Sequence, residues 1–131
     1  MNDKVDRRPE DVLIEALVEA AGRASATSYE FDAYRLEIAD HRLVHNGSPV
    51  YLRPKEFETL RLLVEHHGQL VSKQMMLDRV WSGTFVGDDT ITQRISLVRR
   101  ALGDDAGHVR FIETVPRRGY RFIAPVREIR T

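Results

Sequence analysis

Cysteine is absent, so disulfides, thiolate nucleophiles and zinc–thiolate sites are excluded at the outset. No uninterrupted apolar run approaches the roughly 20 residues that a membrane-spanning helix needs. The charged opening MNDKVDRRPED has no apolar stretch behind it, as a secretory signal would require. These absences together make the cytoplasm the expected setting. Internal repeats and low-complexity tracts are missing as well, which sets solenoids and biased linkers aside. Catalytic signatures are equally scarce. There is no phosphate-cradling glycine motif and no defensible Ser-His-acid order. His41, His45, His66, His67 and His108 form no HExxH-like pattern, and the adjacent His66-His67 suit a helix end, where a cation meets the negative dipole. The chain is therefore read as a non-enzyme, with no metal and no cofactor.

Net charge is missing too, since 20 Lys and Arg balance 20 Asp and Glu. The balance hides a gradient. Residues 1–28 carry −2 and residues 29–87 carry −1, while residues 88–131 hold nine basic groups against six acidic ones, a surplus of +3. All nine are arginine. Its planar fork matches phosphate oxygens and guanine edges, so an arginine-only positive end points towards nucleic acid more than the total does.

What is present is enough for one ordinary domain and a modest extension: 131 residues, 42% apolar and 31% charged. The first 28 residues form the extension. Pro9, Glu10 and Asp11 suit a helix start, and Val12, Leu13 and Leu17 recur at helical spacing up to Gly22. A helix over Pro9–Ala24 is predicted, burying that stripe on the domain itself or on a partner, with docking on the domain the expectation. Tyr29 to Leu52 reads as about four short antiparallel strands, with turns at Asp40 and at Asn46-Gly47, the strongest short hairpin signal.

Three helices follow. Pro54–His67 puts Phe57, Leu60, Leu63 and Val64 on one face, with Gly68 beyond its end. Ser72 is the expected N-cap of the second, whose stripe is Met76, Leu77, Val80 and Trp81. Asp89 is the expected cap of the third, Thr90–Leu102, with Ile91, Ile95, Val98 and Leu102 inward and Gly103 closing it. Finally VRFIETV and GYRFIAPV form a hairpin around Pro116-Arg117-Arg118-Gly119, anchored by Ile112, Val115, Tyr120 and Phe122. Residues 127–131 are read as a tail after a domain spanning 29–126.

Sheet, three helices and an arginine-tipped hairpin, in that order, resemble the OmpR/PhoB-type winged helix-turn-helix DNA-binding domain of bacterial transcription regulators. The matching residues are Leu52-Arg53-Pro54-Lys55-Glu56-Phe57-Glu58, Leu60 to Leu63, Leu77 and Val80-Trp81. They continue with Thr90-Ile91, Ile95, Val98-Arg99-Arg100-Ala101-Leu102, Ile112-Glu113-Thr114-Val115 and Gly119-Tyr120-Arg121-Phe122. They cover Tyr29 to Val126, about three quarters of the chain. The run from Val115 to Phe122 is similar to members without a phosphorylation-receiving domain, the ToxR/CadC-like type. The expected fold class is therefore α+β: a four-stranded antiparallel sheet, a three-helix core and a C-terminal wing, plus the extra N-terminal helix. With only 28 residues ahead of the sheet, the expectation is a free-standing module or the amino-terminal piece of a larger regulator, without phosphoryl control through an attached receiver.

The resemblance implies sequence-specific binding of double-stranded DNA, with the third helix in the major groove and residues 116–119 at the minor groove. Helical phase then assigns Asp89, Gln93, Leu97 and Arg100, flanked by Thr90 and Arg94, to the outward face. Gln93 is the expected base reader, because its amide can bond adenine bidentately. Arg94 and Arg100 reach phosphate or guanine, and Arg99 sits where the backbone is met. Leu97, where relatives place arginine, either touches a thymine methyl or contacts protein. Asp89 repels phosphate, so capping is its expected job. Arg117 and Arg118 are expected at the minor groove, with Arg121 reaching the backbone beside them. Lys73, Trp81 and Thr114 are the implied phosphate contacts, Trp81 mostly through packing. The resemblance further implies a homodimer or tandem pair on direct repeats, contact with RNA polymerase, and a place at the nucleoid. The rival reading is a winged helix that binds protein and not DNA, favoured by the zero net charge, Asp89 and Leu97.

Overall fold

A computed structural model describes Glu10, Leu13, Ile14 and residues 26–105 and 107–130. The helix expected over Pro9–Ala24 otherwise lies outside the described residues. Glu10, Leu13 and Ile14 are helical, and Leu13 is 58% exposed, contrary to the expected docking of that side chain on the domain.

From Ser28 the chain forms a meander of β1 (Ser28–Phe31), β2 (Tyr34–Glu37), β3 (Arg42–His45) and β4 (Ser48–Val50). Asn46 and Gly47 both take positive φ, 50° and 84°, as a tight two-residue hairpin demands. Alternation along β2 and β3 sends Tyr34, Leu36 and Leu43 into the core and Arg35 and Arg42 to solvent. The expectation of four strands requires one correction. Residues read as a tail supply β8 (Arg127–Ile129), antiparallel to β1, so the order is β4-β3-β2-β1-β8. The Thr27 N–H and hydroxyl both donate to the Ile129 carbonyl, at 2.7 and 2.8 Å. Arg127 and Arg35 both pair with Glu30 across the strands, and those bonds, Arg127 first, hold its carboxyl below the usual range. A three-residue run is too short to show alternation, and its partner lies about a hundred positions away.

Helix α1 (Pro54–Glu65) starts with proline at its first position and Glu56 accepting the Arg53 N–H at 3.0 Å. Phe57, Leu60, Leu63 and Val64 are all buried, as their spacing predicts. His66 closes the helix, its Nδ1 3.0 Å from the Leu62 carbonyl. Ser72 caps α2 (Lys73–Val80) by accepting the Met75 N–H at 3.0 Å. Met76, Val80 and Trp81 are buried and Leu77 half-buried. Helix α3 spans Asp88–Leu102 and is capped by Gly87, not by Asp89. Asp88 and Asp89 instead stand in its first turn, where acids meet the positive end of the dipole. The cap is set by where the loop after Trp81 delivers the chain, which a run of two acids leaves undetermined.

The hairpin is β6 (Ile112–Val115) and β7 (Gly119–Phe122), and a third strand joins it. β5 (Leu70–Ser72), legible in sequence only as the approach to α2, pairs with β7 and makes the order β5-β7-β6. Ile112, Tyr120 and Phe122 are buried, while Val115 is only half-buried. Phe31 of the first sheet meets Phe122 edge-on at 5.0 Å and Phe111 at 5.9 Å, so aromatic packing locks the two sheets together. Ile91, Ile95, Val98 and Leu102 are at most 1% exposed and fix α3's rotation in that core.

One carboxylate secures the return from α3 to the hairpin. Asp104 accepts the N–H groups of Arg110 at 2.7 Å, Phe111 at 3.3 Å and Ile112 at 2.9 Å. Asp104→Ala leaves these donors without an acceptor and is expected to lower stability by about 2 kcal/mol in denaturant unfolding. A change within about 0.5 kcal/mol would mean that water replaces the carboxylate at no cost.

Candidate nucleic-acid interface

With the core stripe inward, α3 turns Asp89, Thr92, Gln93, Ser96 and Arg100 to solvent and leaves Thr90 and Leu97 half-buried. Thr92 and Ser96 were not singled out by sequence, yet the signal was there. A step of four residues overshoots a turn by about 40°, so two steps put Leu97 about 80° from Asp89. Ser96, seven residues on, returns to within about 20° of it. The outward stripe is thus Asp89, Gln93, Ser96 and Arg100, with Leu97 at its edge.

The arginines of α3 take three different situations. Arg94 is drawn back: its Nη1 lies 3.7 Å from the buried Glu56 carboxylate, and its buried Nε has no acceptor. Arg99 is fastened to the hairpin. Its Nη2 donates to the Ile112 carbonyl and to Thr114 Oγ1, both at 2.8 Å, and its guanidinium lies 5.8 Å from the Tyr120 ring centre. Arg100 is exposed, and no ion pair or side-chain hydrogen bond engages it among the described residues. Sequence places these three on a helix but cannot show which acid or carbonyl faces each.

At the hairpin tip, the Arg118 N–H donates to the Val115 carbonyl at 3.0 Å, closing a turn with Pro116 and Arg117 at its centre. Arg117 has φ +67°, a left-handed conformation that costs a side-chain-bearing residue energy. Arg117 and Arg118 are both exposed, and among the described residues neither side chain is paired. Arg121 faces Glu113 across the hairpin at 2.9 Å, so its charge is balanced locally. Thr114 is exposed and receives Arg99.

Lys73, the first residue of α2, lies 3.7 Å from Asp88 Oδ2 and so ties the starts of α2 and α3. Its N–H also points at the Arg118 carbonyl, 3.4 Å away. Trp81 closes α2 and is 5% exposed, a packing residue. A groove of about 950 Å³ runs between the second half of α3 and the hairpin, bordered by Ser96, Arg99, Arg100, Glu113 and Thr114. Among the described residues Arg100, which borders this groove, and Arg117 and Arg118 at the hairpin tip are exposed and unpaired.

Residues 47–122 match the family described as "Transcriptional regulatory protein, C terminal". The transcriptional regulator HilA of Salmonella typhimurium is 38% identical over 102 residues, 78% of this chain but 18% of HilA. The chain thus spans less than a fifth of that relative's length. Among solved structures, the DNA-binding domain of Escherichia coli CadC superposes with TM-score 0.69 at 27% identity, covering 80% of this chain and 99% of that one. The Klebsiella pneumoniae RstA DNA-binding domain, solved in complex with the RstA box, gives 0.67 at 26%, covering 73% and 96%. HilA is a transcriptional regulator, and the CadC and RstA structures are of DNA-binding domains with the fold described above. The chain belongs to the OmpR/PhoB-type winged helix-turn-helix DNA-binding domains of transcription regulators.

Proposed function

We propose that this domain binds double-stranded DNA sequence-specifically within a bacterial transcription regulator, with α3 in the major groove and the Pro116–Gly119 tip at the minor groove. The observation that carries this reading is that Arg100 on α3 and Arg117 and Arg118 at the hairpin tip are exposed and, among the described residues, unpaired, while Lys73, Arg94 and Arg121 are paired. Unpaired arginines supply the counterion-release term that any duplex binder needs. A salt series on random-sequence duplex tests it: affinity falling steeply with salt is expected, and no binding at low salt would exclude it.

Within this reading Gln93, Thr90 and Leu97 meet base edges, and Arg100 meets phosphate or guanine. Arg117 and Arg118 enter or straddle the minor groove, and Lys73 and Thr114 stand at the sugar–phosphate backbone, with Arg99 held beside Thr114. Arg94, Arg121 and Trp81 contribute through their protein partners. Gln93→Ala is expected to relax discrimination at one or two positions, on the order of 1–3 kcal/mol, without weakening non-specific binding. Selection from a randomised duplex library reads this out; a uniform loss across all sequences would place Gln93 on the backbone.

A homodimer or tandem pair on direct repeats and a contact with RNA polymerase belong to the same proposal, as does a cytoplasmic, nucleoid-associated site. Among the described residues no helix is long and apolar enough to cross a membrane. Phe85, 97% exposed in the loop before α3, gives a protein contact an apolar anchor. That side chain also favours the rival reading, a protein-binding winged helix, which the salt series separates.

A further inference from the structure

We propose that Arg99 is a positioning residue: it sets the wing against the recognition helix and acts on DNA through the wing rather than as an independent contact. This inference rests on the DNA-binding reading above. Arg99 stands in the last turn of α3, yet its two observed donors, Nε and Nη2, both run to β6. The Ile112 carbonyl receives both, at 3.3 and 2.8 Å, and Thr114 Oγ1 receives Nη2 at 2.8 Å. The guanidinium also lies over Tyr120 of β7, so one rigid planar group touches both strands of the hairpin.

The leverage follows from the register. Thr114 pairs with Tyr120, and the turn of Pro116, Arg117 and Arg118 begins two residues beyond Thr114. At about 3.3 Å per residue the tip projects roughly 7 Å past this strut. A small rotation at Thr114 is therefore enlarged at Arg117 and Arg118, which among the described residues have no side-chain hydrogen bond or ion pair of their own to hold them. The other side-chain brace, Asp104, holds the amides of residues 110–112 at the base of the hairpin, further from the tip. Arg99 thus fixes the distance between what α3 reads and what the wing touches. A lysine cannot reproduce this, because a single ammonium offers no planar fork.

The test is a double-mutant cycle between Arg99→Met and the pair Arg117→Ala/Arg118→Ala, read as affinity for labelled random-sequence duplex across a salt series. Arg99→Met is expected to weaken binding about tenfold in the otherwise unchanged protein and less than about twofold once the wing arginines are gone. Arg99→Lys keeps the charge and should behave like Arg99→Met. Thr114→Val, which removes one acceptor of Arg99 and no charge, should likewise speed amide exchange over residues 112–122. Additive losses, or rescue by lysine with the salt slope restored, would make Arg99 a phosphate contact in its own right and overturn the proposal. Amide exchange gives a readout that needs no DNA. Arg99→Met should speed exchange over residues 112–122 and leave α1 unchanged. If the unmodified protein binds no duplex, the DNA reading fails, and unchanged protection over 112–122 would sink the strut on its own.

Discussion

Replacing Arg117 and Arg118 together by alanine is expected to weaken binding to every duplex sequence, on the order of tenfold to a hundredfold near 0.1 M salt, and to flatten the salt slope by about two. Both side chains are exposed on the turn closed between Val115 and Arg118, and among the described residues neither makes a hydrogen bond or ion pair. The fold should barely notice: stability stays within about 0.5 kcal/mol, because alanine meets the same φ of +67° at position 117 that arginine already tolerates. Arg117→Gly separates the two effects further. Glycine accepts that conformation without strain, so the variant should gain up to about 1 kcal/mol of stability while losing affinity. A strained residue whose replacement stabilises the fold but weakens binding is held in place by function. If the alanine pair leaves affinity and slope unchanged across the series, the wing lies off the DNA and the protein-binding reading gains.

Gly119→Ala should do the opposite and strike the fold first. Gly119 has φ +155° and is pressed against β5, where a Cβ would lie 2.1 Å from the Val71 carbonyl oxygen and 2.9 Å from Ser72 Cα. Both obstacles are backbone, so no side-chain rotation relieves them. Accommodating the methyl means prising β7 from β5, which breaks the Ser72–Gly119 pairing and disturbs the start of α2. The expected cost is on the order of 3 kcal/mol, seen as a fall in melting temperature of roughly 10 °C or more. Because Arg118 sits next to Gly119 and its carbonyl faces the Lys73 N–H, the tip moves and duplex affinity should fall as well. A melting temperature within about 2 °C of the original would mean that β5 and β7 yield freely.

Helix α3 shows how far a sequence alone can go. Its buried face follows from Ile91, Ile95, Val98 and Leu102, because a 3.6-residue period leaves one way to bury four apolar side chains. The Asn46-Gly47 turn, the Ser72 cap and the proline at the start of α1 are likewise local chemistry, decided by residues a few positions apart. The outward arginine wing was legible for the same reason: a proline-stiffened turn between two alternating strands has nowhere else to point its side chains.

Tertiary structure decided everything that depends on a partner distant in sequence. Three-residue strands such as β5 and β8 carry too little pattern to be seen until β7 and β1 present open edges to them. Likewise, Arg94, Arg99, Arg100 and Arg121 are the same residue type, yet Glu56 holds the first, Ile112 and Thr114 the second, and Glu113 the fourth, leaving Arg100 unpaired among the described residues. A guanidinium's role is set by the acceptor in front of it, and in this domain most of those acceptors sit on other elements. Sequence therefore determined the three helices, the first four strands, the wing hairpin and the outward face of α3. Only the packed structure could divide the arginines held by protein acceptors from those left unpaired among the described residues.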